Sequence, residues 1–373
     1  MEQAKAYTAQ LFSQVRIGRG LHKGRNMHKS FDSNAEFNAD SKFESVMHER
    51  KGKQIVVEPT TIVTAAARRA ADHEFGSQAT DFKLSLVEAY SRAFTTALRG
   101  KFAQLWYIDA FAGTGERTER VPATHFMGTL VTPEKVIRHR GSARIAIEIQ
   151  PAFDKLVFVE KKPRAVRALH ELREQHLGRD IEVIAGDANR EIPKLIQPVN
   201  WRQIRAVMFL DPYGMTVDWK TLESIAKTGA IDVWFLFSLS GLYRQAARRA
   251  DGIDATKRAA ITRALGTIDW ENELYRPARG FFSDSLPMER AVNIRGLEDW
   301  MHRRLEKIFP AVLSPLALKG ERGPQLFSLF FATANPSPAA TGLATRIANH
   351  ILKTGISSQI YRPRRPFASA GRR

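Results

Sequence analysis

Five apolar runs, at 105–110, 155–159, 181–185, 206–210 and 231–237, alternate with segments of helical character, and this alternation constrains the fold more than any other feature. A strand buried on both faces reads as a near-continuous hydrophobic run. Parallel neighbours also need crossovers long enough to hold a helix. Short runs with such connections predict a doubly wound, mostly parallel sheet with helices on both faces, an α/β fold. Residues 163–176 read as one connecting helix, with Pro163 in its first turn, and 218–227 as another. Upstream, Phe82, Leu86, Val87, Tyr90, Phe94 and Leu98 recur near a 3.6-residue period, predicting a helix over 66–98 beside the sheet. A last strand at 326–333 and a helix through Leu352 are expected to close the sheet at one edge.

The expected organisation has five parts. A basic, partly mobile arm covers 1–70, the α/β core 71–239 and a helical insertion or lid 240–313, where Trp270, Trp300 and Phe309 serve as packing anchors. A strand and helix completing the core cover 314–352, and a basic tail covers 353–373. The tail carries Arg362, Arg364 and Arg365 among prolines, a composition that does not pack. No apolar stretch approaches the roughly 20 residues of a membrane helix. The first residues lack the apolar block of a secretory signal, so a cytoplasmic location is expected. The chain has no cysteine, which excludes disulfides, thiolate zinc sites, iron–sulfur clusters and any thiolate nucleophile; no metal site is expected. Its 57 Lys and Arg against 39 Asp and Glu give a net charge of +18, which favours a polyanionic partner, RNA or DNA.

Ligands of parallel sheets sit beyond the carboxyl ends of the strands, so the residues just after each strand carry the functional information. The first run leads into Asp109, Phe111, Gly113, Thr114 and Gly115. Glu160 follows the second, Asp187 and Ala188 the third, and Asp211 the fourth. A carboxylate after the second strand suits the two hydroxyls of a ribose, which assigns Glu160. Asp187 with Ala188 is placed for adenine, and the Asp109–Gly115 segment for the amino acid portion of S-adenosylmethionine. A dinucleotide is the rival ligand. Its G-x-G-x-x-G loop would need a third glycine where Thr118 stands, and Glu116 and Glu119 would repel a pyrophosphate. A cationic sulfonium tolerates those acids, so adenosylmethionine is favoured. One irregularity stands: Gly115 and Glu160 lie more than twice the usual distance of about 20 residues apart. This implies an extra loop near 117–140, either a lid or a surface insertion, before a helix that Ser142 would cap.

Asp211, Pro212, Tyr213 and Gly214 follow the fourth run directly. A carboxylate and the Pro212 carbonyl can accept from an exocyclic amine and aim its lone pair at a methyl donor, while Tyr213 stacks on a base. The turn resembles the D/N-P-P-Y/F motif of amino-methyltransferases. Lacking the second proline, it is closer to the DPFG-type turn of tRNA guanine-N2 methyltransferases. Without cysteine the covalent route of pyrimidine C5 methylation is closed, leaving an exocyclic nitrogen or a hydroxyl. Arg244, Arg248 and Arg249, at near-helical spacing, could line a phosphate-binding face.

Taken together, WYIDAFAGTGE, GSARIAIEIQPAFDKLVFVEKK, GDAN, MFLDPYGM and IDVWFLF resemble the bacterial three-Cys-motif partner (TcmP) family over about 72–352. The resemblance implies a Rossmann-like class I methyltransferase fold and a partner protein, related to radical-SAM enzymes, that supplies the cysteines missing here. The family's FGG-x-W-T start is altered at Phe75, Gly76, Ser77, Gln78, Ala79 and Thr80, and the first 70 residues have no counterpart in it. Three functions follow as expectations. The first is an adenosylmethionine-dependent methyltransferase acting on a nucleic acid amine. The second is a non-catalytic cofactor-sensing or nucleic-acid-binding subunit, and the third a dinucleotide oxidoreductase.

Overall fold

The structure, a computed structural model, describes residues 65–121, 124–126, 129–132, 135–278, 287–319 and 325–357. In chain order these form α1 (Ala65–Leu98), β1 (Gln104–Asp109), β2 (Glu116–Val121), β3 (Thr124–Phe126), β4 (Thr129–Thr132), β5 (Lys135–Arg140) and α2 (Ser142–Glu148). Next come β6 (Lys155–Glu160), α3 (Pro163–Glu174), β7 (Ile181–Ala185), α4 (Ala188–Ile196), β8 (Ile204–Leu210), α5 (Trp219–Ala226) and β9 (Ile231–Phe237). The rest comprises α6 (Leu239–Gln245), α7 (Ala255–Leu265), α8 (Trp270–Leu274), β10 (Tyr275–Pro277), β11 (Met288–Arg290), α9 (Ile294–Glu306), β12 (Ala311–Val312), β13 (Leu316–Lys319), β14 (Gln325–Thr333) and α10 (Pro338–Ser357).

The main sheet runs β12-β14-β9-β8-β1-β6-β7, with β13 also paired to β14. The five strands from β9 to β7 are parallel, as their apolar runs predict. Strand β14 is antiparallel to β9. It does not close the edge as its sequence suggested, because β12 and β13 pair with its far side. Those strands are two and four residues long, too short to leave a periodic signal.

Alternation along the strands divides the core between the two faces of the sheet. Trp106, Ile108, Val157, Met208 and Phe235 point to one face, covered by α4 to α9, where Trp270, Trp300 and Phe309 are buried. Leu105, Tyr107, Phe158, Phe209 and Trp234 point to the other, where buried residues of α1, α2, α3 and α10 pack. Strand β9 is buried at all seven positions. Its one acid, Asp232, accepts a 2.7 Å hydrogen bond from the Tyr90 hydroxyl, and burial pushes its carboxyl up to about 6.

The segment expected to be a loop at 117–140 is an antiparallel ribbon. Strands β2 and β5 pair from Glu116↔Arg140 to Val121↔Lys135, and β3 pairs with β4 beyond them. Its base is tied down at both ends. Gly141 N–H donates to the Gly115 carbonyl at 2.8 Å, Arg144 pairs with Glu116 at 2.6 Å, and Arg140 pairs with Glu148 at 2.7 Å. The ribbon is thus inserted between two residues that touch. With it removed, about 20 positions separate the glycine loop from Glu160, the spacing of an ordinary nucleotide-binding unit. The short strands carry mixed charges with no period-2 alternation, so the sequence did not reveal them.

Ser142 is not the cap of the following helix. Gly141 occupies that position, without a side-chain cap bond, and Ser142 turns its hydroxyl towards Asp109. The arm expected at 1–70 lies outside the described residues as far as 64, and so does the tail from 358, with Arg362, Arg364 and Arg365. Helix α10 runs to Ser357, past the expected end at Leu352. Among the described residues no helix is long and apolar enough to cross a membrane.

Candidate functional site

Strand order reverses between β1 and β8: from β1 the chain proceeds outward through β6 and β7, and from β8 outward through β9. A crevice opens beyond the carboxyl ends at such a point. Register places Asp109 beside Phe209, so Asp109 and Asp211 flank the crevice from adjacent strands. Glu160 ends β6, next to β1 on the other side, and Asp187 follows β7. The topology therefore brings four expected acids to one edge of the sheet.

Each acid is held differently. Asp109 is fully buried; its Oδ1 accepts from the Phe111 amide at 3.1 Å, while Oδ2 makes no hydrogen bond of ordinary geometry. Burial pushes its carboxyl up to about 7. The Ser142 hydroxyl and the Phe111 amide oppose that shift, and the nearby charges of Asp211 and Glu160 add to it. Glu160, also buried, accepts from Gly113 N–H at 3.0 Å and from Lys162 N–H at 2.8 Å. Asp187 caps α4 by accepting from Asn189 N–H at 3.0 Å, and the Lys161 ammonium lies 3.1 Å from its other oxygen. Burial works against the Asp187 carboxylate, but Lys161 and the Asn189 amide outweigh it and hold the carboxyl below its usual range. Ala188 is buried in the first turn of α4, Phe111 is half-buried against the core, and Thr114 is exposed, its hydroxyl bonded to the Glu116 carbonyl at 2.5 Å.

The glycine loop depends on its glycines. Gly113 and Gly115 have φ of 60° and 75°, in the left-handed region. A Cβ on Gly115 would also lie 2.7 Å from Leu172 Cδ2 of α3. Gly115→Ala should lower unfolding free energy by about 1–3 kcal/mol. An unshifted urea midpoint would show that the loop relaxes freely.

Asp211 is one-quarter exposed, and its Oδ2 is 2.5 Å from the Lys83 ammonium of α1, which is itself buried. Its Oδ1 accepts no hydrogen bond among the described residues. Lys83 escaped the sequence reading because it lies 128 positions from its partner on a helix whose periodic signal reports only packing. Pro212 is buried behind Asp211, and Tyr213 projects outward, 75% exposed, with Lys162 Nζ 4.1 Å from its ring centroid. Lys161 and Lys162 directly follow Glu160 and could have been suspected from that adjacency.

Arg244, Arg248 and Arg249 do not share a helix face. Helix α6 ends at Gln245, and the backbone at 248–249 bonds to the β11 strand, Arg290 N–H donating to the Arg248 carbonyl at 2.7 Å. Arg248 pairs with Glu289 at 3.4 Å and Arg249 with Asp251 at 2.6 Å. Among the described residues no cluster of His, Asp or Glu could hold a metal ion.

The antiparallel β14 between β9 and β12, on a sheet otherwise ordered outward from β1 and β8, makes this a doubly wound, mostly parallel α/β fold of Rossmann-like type. No protein-family model matches the chain. No curated protein matches it. Among solved structures it is similar to a Legionella pneumophila protein of family DUF519, at 13% identity, 70% of this chain, 90% of that one and a TM-score of 0.32. It is also similar to the N-terminal domain of EvdMO1 with SAH bound, at 12% identity over 65% and 78% of the two chains, with a TM-score of 0.31. A third is an S-adenosylmethionine-dependent methyltransferase from Clostridium acetobutylicum, at 10% identity over 66% and 90%, with a TM-score of 0.30.

Proposed function

We propose that this chain is an S-adenosylmethionine-dependent methyltransferase acting on an exocyclic amine of a nucleic acid base. The observation that carries the reading is the row of acids at the carboxyl ends of β1, β6, β7 and β8, centred on the fully buried Asp109. A cationic ligand suits such a row, because it would offset the mutual repulsion of Asp109, Glu160 and Asp211. A pyrophosphate in the same place would add to that repulsion. The Gly113 amide, a donor it would need, is already committed to Glu160.

In this reading Glu160 holds the ribose, Asp187 the adenine and the 109–115 segment the amino acid portion of the cofactor. Bound adenosylmethionine supplies an electrophilic methyl group on a sulfonium. Asp211 Oδ1 and the Pro212 carbonyl accept the two N–H bonds of the target amine, which turns its lone pair towards the cofactor side of the crevice. Lys83 fixes Oδ2, so the carboxylate presents one defined oxygen. Tyr213 offers its exposed ring to the base.

The test combines calorimetry with adenosylmethionine and NADH and methyl transfer from labelled cofactor into total RNA, DNA and protein. Adenosylmethionine binding with label in RNA or DNA is expected. Label in protein alone would refute the nucleic acid assignment. Binding without transfer would point to a cofactor-sensing subunit, and NADH binding alone to an oxidoreductase.

A further inference from the structure

Two exposed tyrosines follow the carboxyl ends of the adjacent strands β8 and β9. Tyr213 follows β8 and is 75% exposed; Tyr243 lies in α6, after the adjacent strand β9, and is 41% exposed. Tyr213 leaves most of its surface open and Tyr243 about two-fifths, and each ring carries a cation. Lys162 Nζ is 4.1 Å from the Tyr213 centroid, and the Arg290 guanidinium is 3.6 Å from that of Tyr243. Arg290 is pinned there by donating to the Tyr243 and Ala246 carbonyls, at 2.8 and 2.7 Å. The two segments touch: a Cβ on Gly241 would lie 3.5 Å from Met215 Cγ. Each tyrosine is therefore two residues from a shared contact.

We propose that Tyr213 and Tyr243 form a two-step stacking path for unpaired bases of a single-stranded nucleic acid, with Lys162 and Arg290 supplying the charge for its backbone. This rests on the nucleic acid part of the function proposed above and specifies the strand state and the position of a second base. A ring backed by a cation and open to water suits a nucleobase, which has a π-face whatever its sequence. The net charge of +18 favours the polyanion over a neutral partner. Stacked duplex bases cannot reach either ring, so the path selects single strands.

The test is fluorescence anisotropy of the full chain with labelled RNA and DNA strands of about 12 nucleotides that share one sequence of A and C, and with a duplex of the same length. Tyr243→Ala and Tyr213→Ala should each weaken single-strand binding about tenfold, while Tyr243→Trp keeps it and Ile268→Ala, at an exposed site elsewhere, leaves it unchanged. The two strands compared show whether the sugar matters. Alanine variants that bind like wild type, or a duplex bound as tightly as the single strands with the same tyrosine dependence, would overturn the path. A wild type that binds no oligonucleotide would end both this inference and the nucleic acid assignment. Calorimetry with adenosylmethionine alone would then still report on the cofactor site.

Discussion

Asp211→Ala should reduce methyl transfer by on the order of 10²–10³-fold while changing adenosylmethionine affinity only by the much smaller loss of one nearby charge. Asp211 lies across the switch point from Asp109, and its free Oδ1 faces no partner among the described residues. Removing it deletes an acceptor that aims the nucleophile and leaves the cofactor's contacts in place. Lys83 supplies a second arm to the measurement. Lys83→Met frees Oδ2 to rotate and should lower kcat about tenfold, and Lys83→Arg should restore most of it. Because the two residues act through one ion pair, the double variant should be little worse than Asp211→Ala alone. Additive losses would mean that Lys83 acts on something other than Asp211. Full activity in Asp211→Ala would remove the turn from the chemistry.

Asp109→Asn should stabilise the ligand-free protein at pH 8 and weaken cofactor binding at the same pH. The Asp109 carboxyl is pushed up from 3.8 to about 7 by burial, so the folded chain binds this proton more tightly than the unfolded chain does. Its contribution is intact below about pH 4 and is lost as pH rises to about 7. The loss is on the order of 4 kcal/mol for a fully buried group. An asparagine has no proton to lose, so its advantage in thermal midpoint should be several degrees at pH 8 and shrink steadily towards pH 4. Binding of the cationic cofactor reverses the balance by favouring the carboxylate, so titrations at pH 7 should release protons, seen as heats that change with the buffer's ionisation enthalpy. A stability difference that ignores pH, together with buffer-independent heats, would rule out a titrating group at Asp109.

Much of the fold was legible because four of its five parallel strands are inner strands. A run such as Ile-Asp-Val-Trp-Phe-Leu-Phe at 231–237 is buried on both faces, so its composition alone announces it. The expected strand at 181–185 matches β7, and those at 206–210 and 155–159 fall inside β8 and β6. The helix at 163–176 is α3, starting at Pro163 and ending two residues early. The short strands β12 and β13 and the ribbon failed the same test, because short or exposed pairings need not be apolar.

That the four acids share an edge follows from their order along the chain. In a parallel sheet every strand ends on the same side, so a carboxylate at the end of a run, or one or two positions past it, has no other place to go. The order along the chain also puts the glycines where a turn needs positive φ. How those acids differ is set by the folded chain. Burial depth, the 128-position reach from Lys83 to Asp211, and the meeting of Gly115 with Gly141 across an inserted ribbon depend on contacts between segments remote in the chain. Charge strength and loop length along a sequence do not record such contacts, since both are set by what packs around a group after the chain has folded.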